Sequence, residues 1–347
     1  MRDYAVIGGG HIGREIAGFL SNEGSCVLVD PNRGALNQVS SVEKIKGTVE
    51  TNPEILSSSN VFVVALPGKI AKNTVAKLLK DGRKVVDVSF YQENPFIFQA
   101  SVPANSVYIP DCGFAPGLSN IMAGYLFTKF DTKRIGIYVG GLPAEPRKPF
   151  LHSVTWSVEG LIDEYIRPAR LIKNGATVES DPLGKTFNYQ PRGFMKLEGF
   201  YSDGLRTLIS TLPVQDLFEI TLRYKGHLKN MKFLKEMGYF GDENEMSPRK
   251  MTERIFSQFN DTHDVSILDV ISLDRKEHRI ELRDYGDDHL TSMARLTGHT
   301  AAITATLLTE YPEIRGFFPP EELGKDEKKM NHILNELRHE GVKIEMT

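Results

Sequence analysis

Cysteine is nearly absent: Cys26 and Cys112 are the two in 347 residues. Two thiols do not make a disulfide framework, so a reducing, cytoplasmic compartment is expected. Long apolar runs are missing as well. "VFVVAL" is among the longest and falls far short of the ~20 residues that a membrane span needs. Arg2 and Asp3 precede only a five-residue apolar run, so no secretory leader is expected. There is no excess of basic charge. The net charge is −3, which leaves no footprint for nucleic acid or an anionic membrane. The nine histidines are scattered, and neither HExxH, CxxC nor GxSxG occurs. Neither a metal centre nor a serine-hydrolase elbow is expected.

What is present begins at once. "YAVIGGGHIGREIAGFLSNEGSCVLVD" is a buried strand, a glycine turn, a helix with Ile12, Ile16, Phe19 and Leu20 on one side, and a second buried strand. Gly8, Gly10 and Gly13 have the G-x-G-x-x-G spacing. Gly8 permits the tight turn, Gly10 the approach of a pyrophosphate, and Gly13 close packing of helix on strand. The amides of His11 and Ile12 then face the phosphates at the positive helix end. Asp30 ends the second strand, where a carboxylate accepts from both ribose hydroxyls of an adenosine. The same acid repels a 2′-phosphate, so NAD is expected as cofactor ahead of NADP, with Arg33 nearby to soften the preference.

Strand-like and helix-like runs go on alternating to about residue 112. "RGALNQVS" and "PEILSSS" read as short helices, "VFVVALP" as a strand, "IAKNTVAKLLKDG" as a helix, and "KVVDVS" and "SVYIPDCG" as strands. This pattern predicts an α/β chain with a Rossmann-type, doubly wound parallel sheet. The nicotinamide is expected over the carboxyl ends of the strands, near Ala65, Leu66, Pro67 and Ser89. Asp111 ends the last strand, in "DCGFAPGLSN". It either faces that crevice or caps the helix that follows. Beyond it the pattern changes to a second, α+β domain with paired strands "DVSILDVISLDR" and "EHRIELRDYG". A long small-residue helix, "TSMARLTGHTAAITATLLTEY", and a charged amphipathic tail helix, "EELGKDEKKMNHILNELRHEG", follow.

"DCGFAPGLSN" resembles the interdomain motif of the lysine 6-dehydrogenases, relatives of saccharopine dehydrogenase. "GGLP", "HSVTWSVEGLIDEY", "LEGFYSDGLRTL", "TLRYKGH", "MARLTGHTAAI" and "PPEELG" fit the same family in order, so the resemblance covers nearly the whole chain. It implies an NAD-linked amino acid dehydrogenase that works as a homo-oligomer, a dimer being expected. It divides the chain into a dinucleotide domain over 1–115, a substrate and dimerisation domain over 116–295, and C-terminal helices over 296–347 that return to the first domain. Saccharopine reductases carry a carboxylate-binding arginine just before the stretch that resembles "TLRYKG". This chain has Glu219 there, which suits an amine better.

The expected reaction is oxidative deamination of the side-chain amine of L-lysine to the semialdehyde, which cyclises to a piperideine carboxylate. Lysine chemistry asks for a base to take a proton from the amine and an arginine fork for the α-carboxylate. The candidates are Asp203, Arg206, Glu219 and Arg223 for substrate binding, with Asp111 and His227 as catalytic groups. His227 is either a general acid–base or a histidine bonded to a loop. Arg206 and Arg223 hold either substrate or a salt bridge. His299, in the small-residue helix, either lines the cleft or packs. Two alternatives stand beside this reading: a saccharopine-type reductase acting on a secondary amine between two amino acids, and a non-catalytic dinucleotide sensor.

Overall fold

A computed structural model describes residues 1–154, 156–241, 247–259 and 263–347; residue 155, within the "HSVTWSVEGLIDEY" stretch, lies outside them. The chain opens with β1 (Arg2–Ile7), α1 (His11–Glu23), β2 (Cys26–Asp30), α2 (Arg33–Leu36) and β3 (Glu43–Lys46). It continues through α3 (Glu54–Ser58), β4 (Ser59–Val64), α4 (Gly68–Lys80), β5 (Lys84–Asp87), a 3-10 turn at Pro95–Ser101, and β6 (Val107–Ile109). These strands and the later β15 (Gly316–Phe317) pair in the order β15-β6-β5-β4-β1-β2-β3, every pair parallel. The order reverses between β1 and β4, which is where a doubly wound sheet opens a crevice at its carboxyl end. Tyr4, Ala5, Val6 and Ile7 are all buried, because both faces of the sheet are covered. That burial is why the sequence shows unbroken apolar runs here.

The next elements are α5 (Leu118–Phe130), β7 (Arg134–Pro143), α6 (Val158–Ile166), β8 (Ala169–Lys173), β9 (Ala176–Ser180) and β10 (Thr186–Tyr189). Then come β11 (Leu197–Tyr201), α7 (Leu208–Thr211), β12 (Asp216–Arg223), α8 (His227–Glu236), α9 (Pro248–Phe256), β13 (Asp264–Ser272) and β14 (Arg279–Tyr285). A second, mixed sheet runs β10-β11-β12-β7-β13-β14-β16, the last strand being Lys343–Met346, with β8 paired to β12 and β9 to β8. Within it β12 and β7 are parallel and the other pairs antiparallel. The paired strands read from "DVSILDVISLDR" and "EHRIELRDYG" are β13 and β14, in register Leu268↔Leu282.

The chain ends with α10 (Ser292–Glu310), β15 (Gly316–Phe317), α11 (Pro320–Lys325), α12 (Glu327–His339) and β16 (Lys343–Met346). The tail is therefore two helices and a strand rather than one helix. The break falls at Asp326, whose carboxylate accepts the amides of Lys328 (2.9 Å) and Lys329 (3.2 Å) and so starts a new helix. "RGALNQVS" shrinks to the single turn of α2. Strand β3 was not legible, because "EKIK" is mostly exposed and carries no apolar alternation.

Two compact units result: Met1–Tyr125 with Ala294–Glu340, and Leu126–Met293 with Gly341–Thr347. The first has a core over Ala5, Val29, Phe62, Val75 and Tyr108. The second has one cluster around Ile162, Tyr165, Phe200 and Met231 and another around Leu142, Ile220 and Ile267. Among the described residues, no helix is long and apolar enough to cross a membrane.

Candidate functional site

In the first unit β1 hands over to α1 through main chain that only glycine allows. Gly8 lies at φ +110, and a Cβ there would sit 2.3 Å from the Ala65 carbonyl oxygen. A Cβ on Gly13 would come within 1.9 Å of the Gly8 carbonyl oxygen. Gly10 is different: nothing lies within 4 Å of where its Cβ would be. It is the N-cap of α1, with no side-chain cap, and no acid stands in the first turn. Amides including those of His11 and Ile12 thus begin the helix without an internal acceptor. Asp30 is half-buried, and its carboxylate accepts the amides of Gly9 (2.6 Å) and Asn32 (2.7 Å). Arg14, which the motif did not single out, donates to the Gly9 carbonyl at 3.0 Å.

The predicted turns at the carboxyl edge gather beside this one. The Ala65 amide donates to Ile7 at 2.8 Å. A Cβ on Gly8 would also lie 3.0 Å from Leu66 Cδ2, and Pro67 is the N-cap of α4. Ser89 is 3% exposed, and its buried hydroxyl has no partner. Its amide donates to Asp87 Oδ1 at 2.9 Å. Asp87 itself is fully buried, and its Oδ2 accepts from Tyr91 and from Tyr108, the latter at 2.9 Å. Burial pushes the Asp87 carboxyl up to about 6, against the opposing pull of these hydrogen bonds. The Asp87 carbonyl accepts the amide of Cys112 at 2.8 Å. Asp111, the neighbour of Cys112, is 1% exposed and holds φ +49, a left-handed conformation that Asp tolerates better than most residues.

Cys112 and Cys26 are both buried, and burial pushes each thiol up to about 12. Thiols held this far from their thiolate form are inert structural cysteines. His299 also belongs to this unit. Its Nε2 lies 2.7 Å from Glu15 Oε1 of α1, and its ring packs on Phe19.

The second unit holds Asp203, Arg206, Glu219, Arg223 and His227 on and around β11 and β12. Strand alternation sends Glu219, Thr221 and Arg223 to one face. Glu219 is 4% exposed; its Oε1 accepts the Ser202 hydroxyl at 2.8 Å, and that hydroxyl accepts from Thr221 at 2.7 Å. Its Oε2 has no partner. Burial pushes this carboxyl up to about 8; the Ser202 bond opposes the rise, and the nearby Glu164 and Asp203 carboxylates add to it. At neutral pH Glu219 is therefore an uncharged acid. The loop after β11 wraps it closely, for a Cβ on Gly204 would lie 2.0 Å from Glu219 Oε1. In the same loop Arg206 is fully buried at φ +51, a conformation costly for a side chain of its size. Asp203 forms a two-pronged pair with Arg170, at 2.8 Å on each prong.

Arg223 is fully buried, and its donors are committed. One guanidinium nitrogen reaches Glu164 Oε2 at 2.6 Å, Nε reaches the Tyr165 hydroxyl at 3.1 Å, and the third reaches the Leu222 carbonyl at 2.9 Å. The Tyr165 hydroxyl is 2.7 Å from His227 Nε2, and His227 Nδ1 is 2.6 Å from the Phe150 carbonyl. A carbonyl only accepts, so Nδ1 carries the proton and Nε2 accepts from Tyr165. Burial, with Arg223 beside it, pushes His227 down to about 3. Of the two readings of this histidine, the geometry describes a neutral ring bonded to a loop.

Glu164, Tyr165, Arg170, Ser202, Asp87, Tyr91 and Tyr108 were not singled out from the sequence. Asp87 carried a usable signal: like Asp111, it is an acid at the carboxyl end of a strand. Among the described residues, no group of His, Cys, Asp and Glu is placed to hold a metal ion.

Two family models match the chain. One described as Saccharopine dehydrogenase C-terminal domain covers residues 113–342, and one described as NADP oxidoreductase coenzyme F420-dependent covers residues 3–91. The mitochondrial alpha-aminoadipic semialdehyde synthases of Mus musculus and Rattus norvegicus are each 24% identical over 266 residues, 69% of this chain. The chain spans 28% of those relatives' length. Apo saccharopine dehydrogenase (L-Glu forming) from Saccharomyces cerevisiae matches with TM-score 0.79 and 16% identity, over 100% of this chain and 99% of that one. An engineered D-amino acid dehydrogenase bound to NADP+ matches with TM-score 0.50 and 9% identity, over 96% of this chain and 98% of that one. At these identities the two solved structures are likenesses of fold.

Proposed function

The chain belongs to the saccharopine dehydrogenase-like family, and from that premise we propose that it is an NAD-dependent dehydrogenase of the L-lysine side-chain amine. Oxidation gives the imine, water hydrolyses it with release of ammonium, and the resulting semialdehyde closes on its own α-amine, with loss of water, to a piperideine carboxylate. The mouse and rat relatives are called alpha-aminoadipic semialdehyde synthases, after the aldehyde this reaction yields. Within this reading, the observation that carries the choice of substrate is Glu219: a buried, uncharged carboxyl with one oxygen unpartnered.

The first unit fits a dinucleotide. Open space at Gly10, an uncapped helix start, the anchored Asp30 carboxylate and the unpartnered Ser89 hydroxyl are the features such a ligand would use. Gly8, Gly10, His11, Ile12, Gly13 and Asp30 would hold its adenosine and pyrophosphate, and Ala65, Leu66, Pro67 and Ser89 its other end. A bound nicotinamide supplies the hydride acceptor. Asp30 favours NAD by opposing a 2′-phosphate.

The chain's own side chains handle protons and orientation. A lysine side chain arrives as an ammonium, and its charge returns Glu219 to a carboxylate, the carboxyl proton passing to solvent as the substrate binds. Because burial favours the neutral acid, Glu219 then accepts the ammonium proton, leaving the amine ready for oxidation at its carbon. Ser202 and Thr221 orient the carboxyl for that exchange. Arg206 binds the α-carboxylate as a fork. Asp203 is braced by Arg170 for a polar contact with the substrate. Arg223, Tyr165 and His227 act as positioning residues: their bonds run to one another, to Glu164 and to main chain, and they hold α6 and the start of α8 against β12. Asp111 supplies a buried carboxyl at the sheet's carboxyl edge. His299 steadies α1 through Glu15. We place the chain in a homo-oligomer, taken to be a dimer. Phe233, Met237, Met251 and Ile255, exposed on and just past α8 and on α9, are the kind of side chains that association would cover.

The test is a substrate panel of L-lysine, saccharopine and short diamines with NAD or NADP, followed at the nicotinamide absorbance. Turnover of lysine with NAD is expected. Turnover of saccharopine without lysine would transfer the reading to a saccharopine-type reductase. Cofactor binding with no turnover of any amine, unchanged in Asp111→Ala, would leave the dinucleotide sensor.

A further inference from the structure

Asp87 is a buried carboxylate without a cation. Its oxygens accept three donors, the Ser89 amide, the Tyr91 hydroxyl and the Tyr108 hydroxyl, and no Lys, Arg or His pairs with it among the described residues. The ionised form accepts all three, and the Ser89 amide, which can only donate, fixes Oδ1 as an acceptor. Natural interiors seldom keep an uncompensated charge, because its desolvation costs more than neutral hydrogen bonds return. This one stands at the end of β5. Its carbonyl ties down Cys112 after β6, and the Val88 amide beside it donates to Val64 of β4 at 3.0 Å. Three strand ends of the carboxyl edge thus meet at one anion. The turn it braces contains Ser89, whose hydroxyl is unpartnered. The next turn touches it as well, for a Cβ on Gly68 would lie 2.0 Å from the Phe90 carbonyl oxygen.

We propose that the counter-charge for Asp87 is the ligand's: its fixed negative charge favours the oxidised nicotinamide ring, which is a cation, over the reduced ring, which is neutral. This rests on the dinucleotide-binding reading of the first unit and not on the identity of the amine. A pair of opposite charges several ångströms apart at an effective dielectric near 20 is worth about tenfold or more in affinity. Asp87 is then a positioning residue on two counts. It shapes the turn that meets the nicotinamide, and it biases which redox state of the cofactor stays bound. The titratable groups that face it are Tyr91 from its own loop, Tyr108 from β6, and Asp111 and Cys112 after β6. Of these four, burial and the neighbouring acids hold the two phenols and the thiol protonated.

The experiment is calorimetric titration of the full-length chain with oxidised and reduced NAD, in the wild type and in Asp87→Asn. The ratio of the reduced to the oxidised dissociation constant is expected to fall about tenfold in the variant, chiefly through weaker binding of the oxidised form. A ratio unchanged within about twofold, or equal weakening of both forms, overturns the inference and leaves Asp87 as a brace. Tyr91→Phe keeps the charge and removes one donor, so it guards against an Asp87→Asn that does not fold. In the wild type the ratio should collapse as pH falls below about 6, and in Tyr91→Phe it should collapse at a higher pH. A ratio independent of pH in both proteins refutes the idea. If the wild type binds neither form, the dinucleotide reading fails and this inference with it. If it binds both and oxidises no lysine, only the substrate assignment fails.

Discussion

Replacing Glu219 by Gln keeps shape and hydrogen-bonding capacity while removing the ability to ionise. In the folded chain this carboxyl keeps its proton up to about pH 8, whereas an unfolded glutamate releases it near 4.5. Between those values the folded state binds one proton more than the unfolded state. Stability is therefore fully present below about pH 4.5, declines as pH rises, and is lost above about 8. At ~1.4 kcal/mol per tenfold change in proton affinity, the wild type should lose on the order of 5 kcal/mol across this window. The Gln variant should lose none of that component. The measurement is urea unfolding of both proteins from pH 5 to 9, with the difference between them plotted against pH so that other titrations cancel. A difference that stays flat would show that Glu219 is ionised throughout, and the case for it as proton acceptor would go with it. The same titration has a ligand counterpart. Lysine binding to the wild type at pH 7, followed by calorimetry in buffers of different ionisation enthalpy, should release close to one proton, and the Gln variant should release none.

Gly10→Ala should leave stability within about 1 kcal/mol, since its Cβ meets nothing, yet weaken NAD about tenfold or more by filling the space above the helix start. Gly13→Ala should lower both stability and affinity, because its Cβ runs into the Gly8 carbonyl; thermal melts and fluorescence titration separate the two cases. His227→Ala should cost about 1–3 kcal/mol in denaturant unfolding by stranding the Tyr165 hydroxyl and the Phe150 carbonyl. It should not move the pH–rate profile between pH 5 and 8, because the ring titrates near 3; a lost limb in that range would return it to acid–base duty. Asp30→Ala should raise the ratio of NADP to NAD affinity, while freeing the Gly9 amide, and competitive titration of the two cofactors reads the change.

The glycine turn was readable because its constraints are main-chain ones. Spacing alone places Gly8 and Gly13 where a Cβ has no room. The parallel strands were readable because burial on both faces leaves unbroken apolar runs such as "VFVV". Strands β3, β9 and β10 escaped notice because they are short and largely exposed or half-buried, and apolar patterning records burial rather than hydrogen bonding; β8 is mostly buried, but its five residues are too few to display a period. The second unit's polar residues were recognisable by type and not by role. Nothing in "TLRYKGH" tells that the arginine and histidine are sealed against Glu164 and Tyr165 of a distant helix. Nor does it tell that such burial removes the proton-carrying range that made His227 attractive. Asp87 could have been found by the reasoning applied to Asp111, but its two tyrosine partners lie on separate segments.

The paired facts that both thiols are sealed and that both reside in the first unit give the protein a built-in reporter. An alkylating reagent added to the native chain should find nothing to modify until the dinucleotide-binding unit opens, so the rate of labelling counts those openings. Unfolding confined to the other unit would pass in silence. Comparing alkylation with a global optical signal along a denaturant series would then show whether the two halves of this chain come apart together or one at a time.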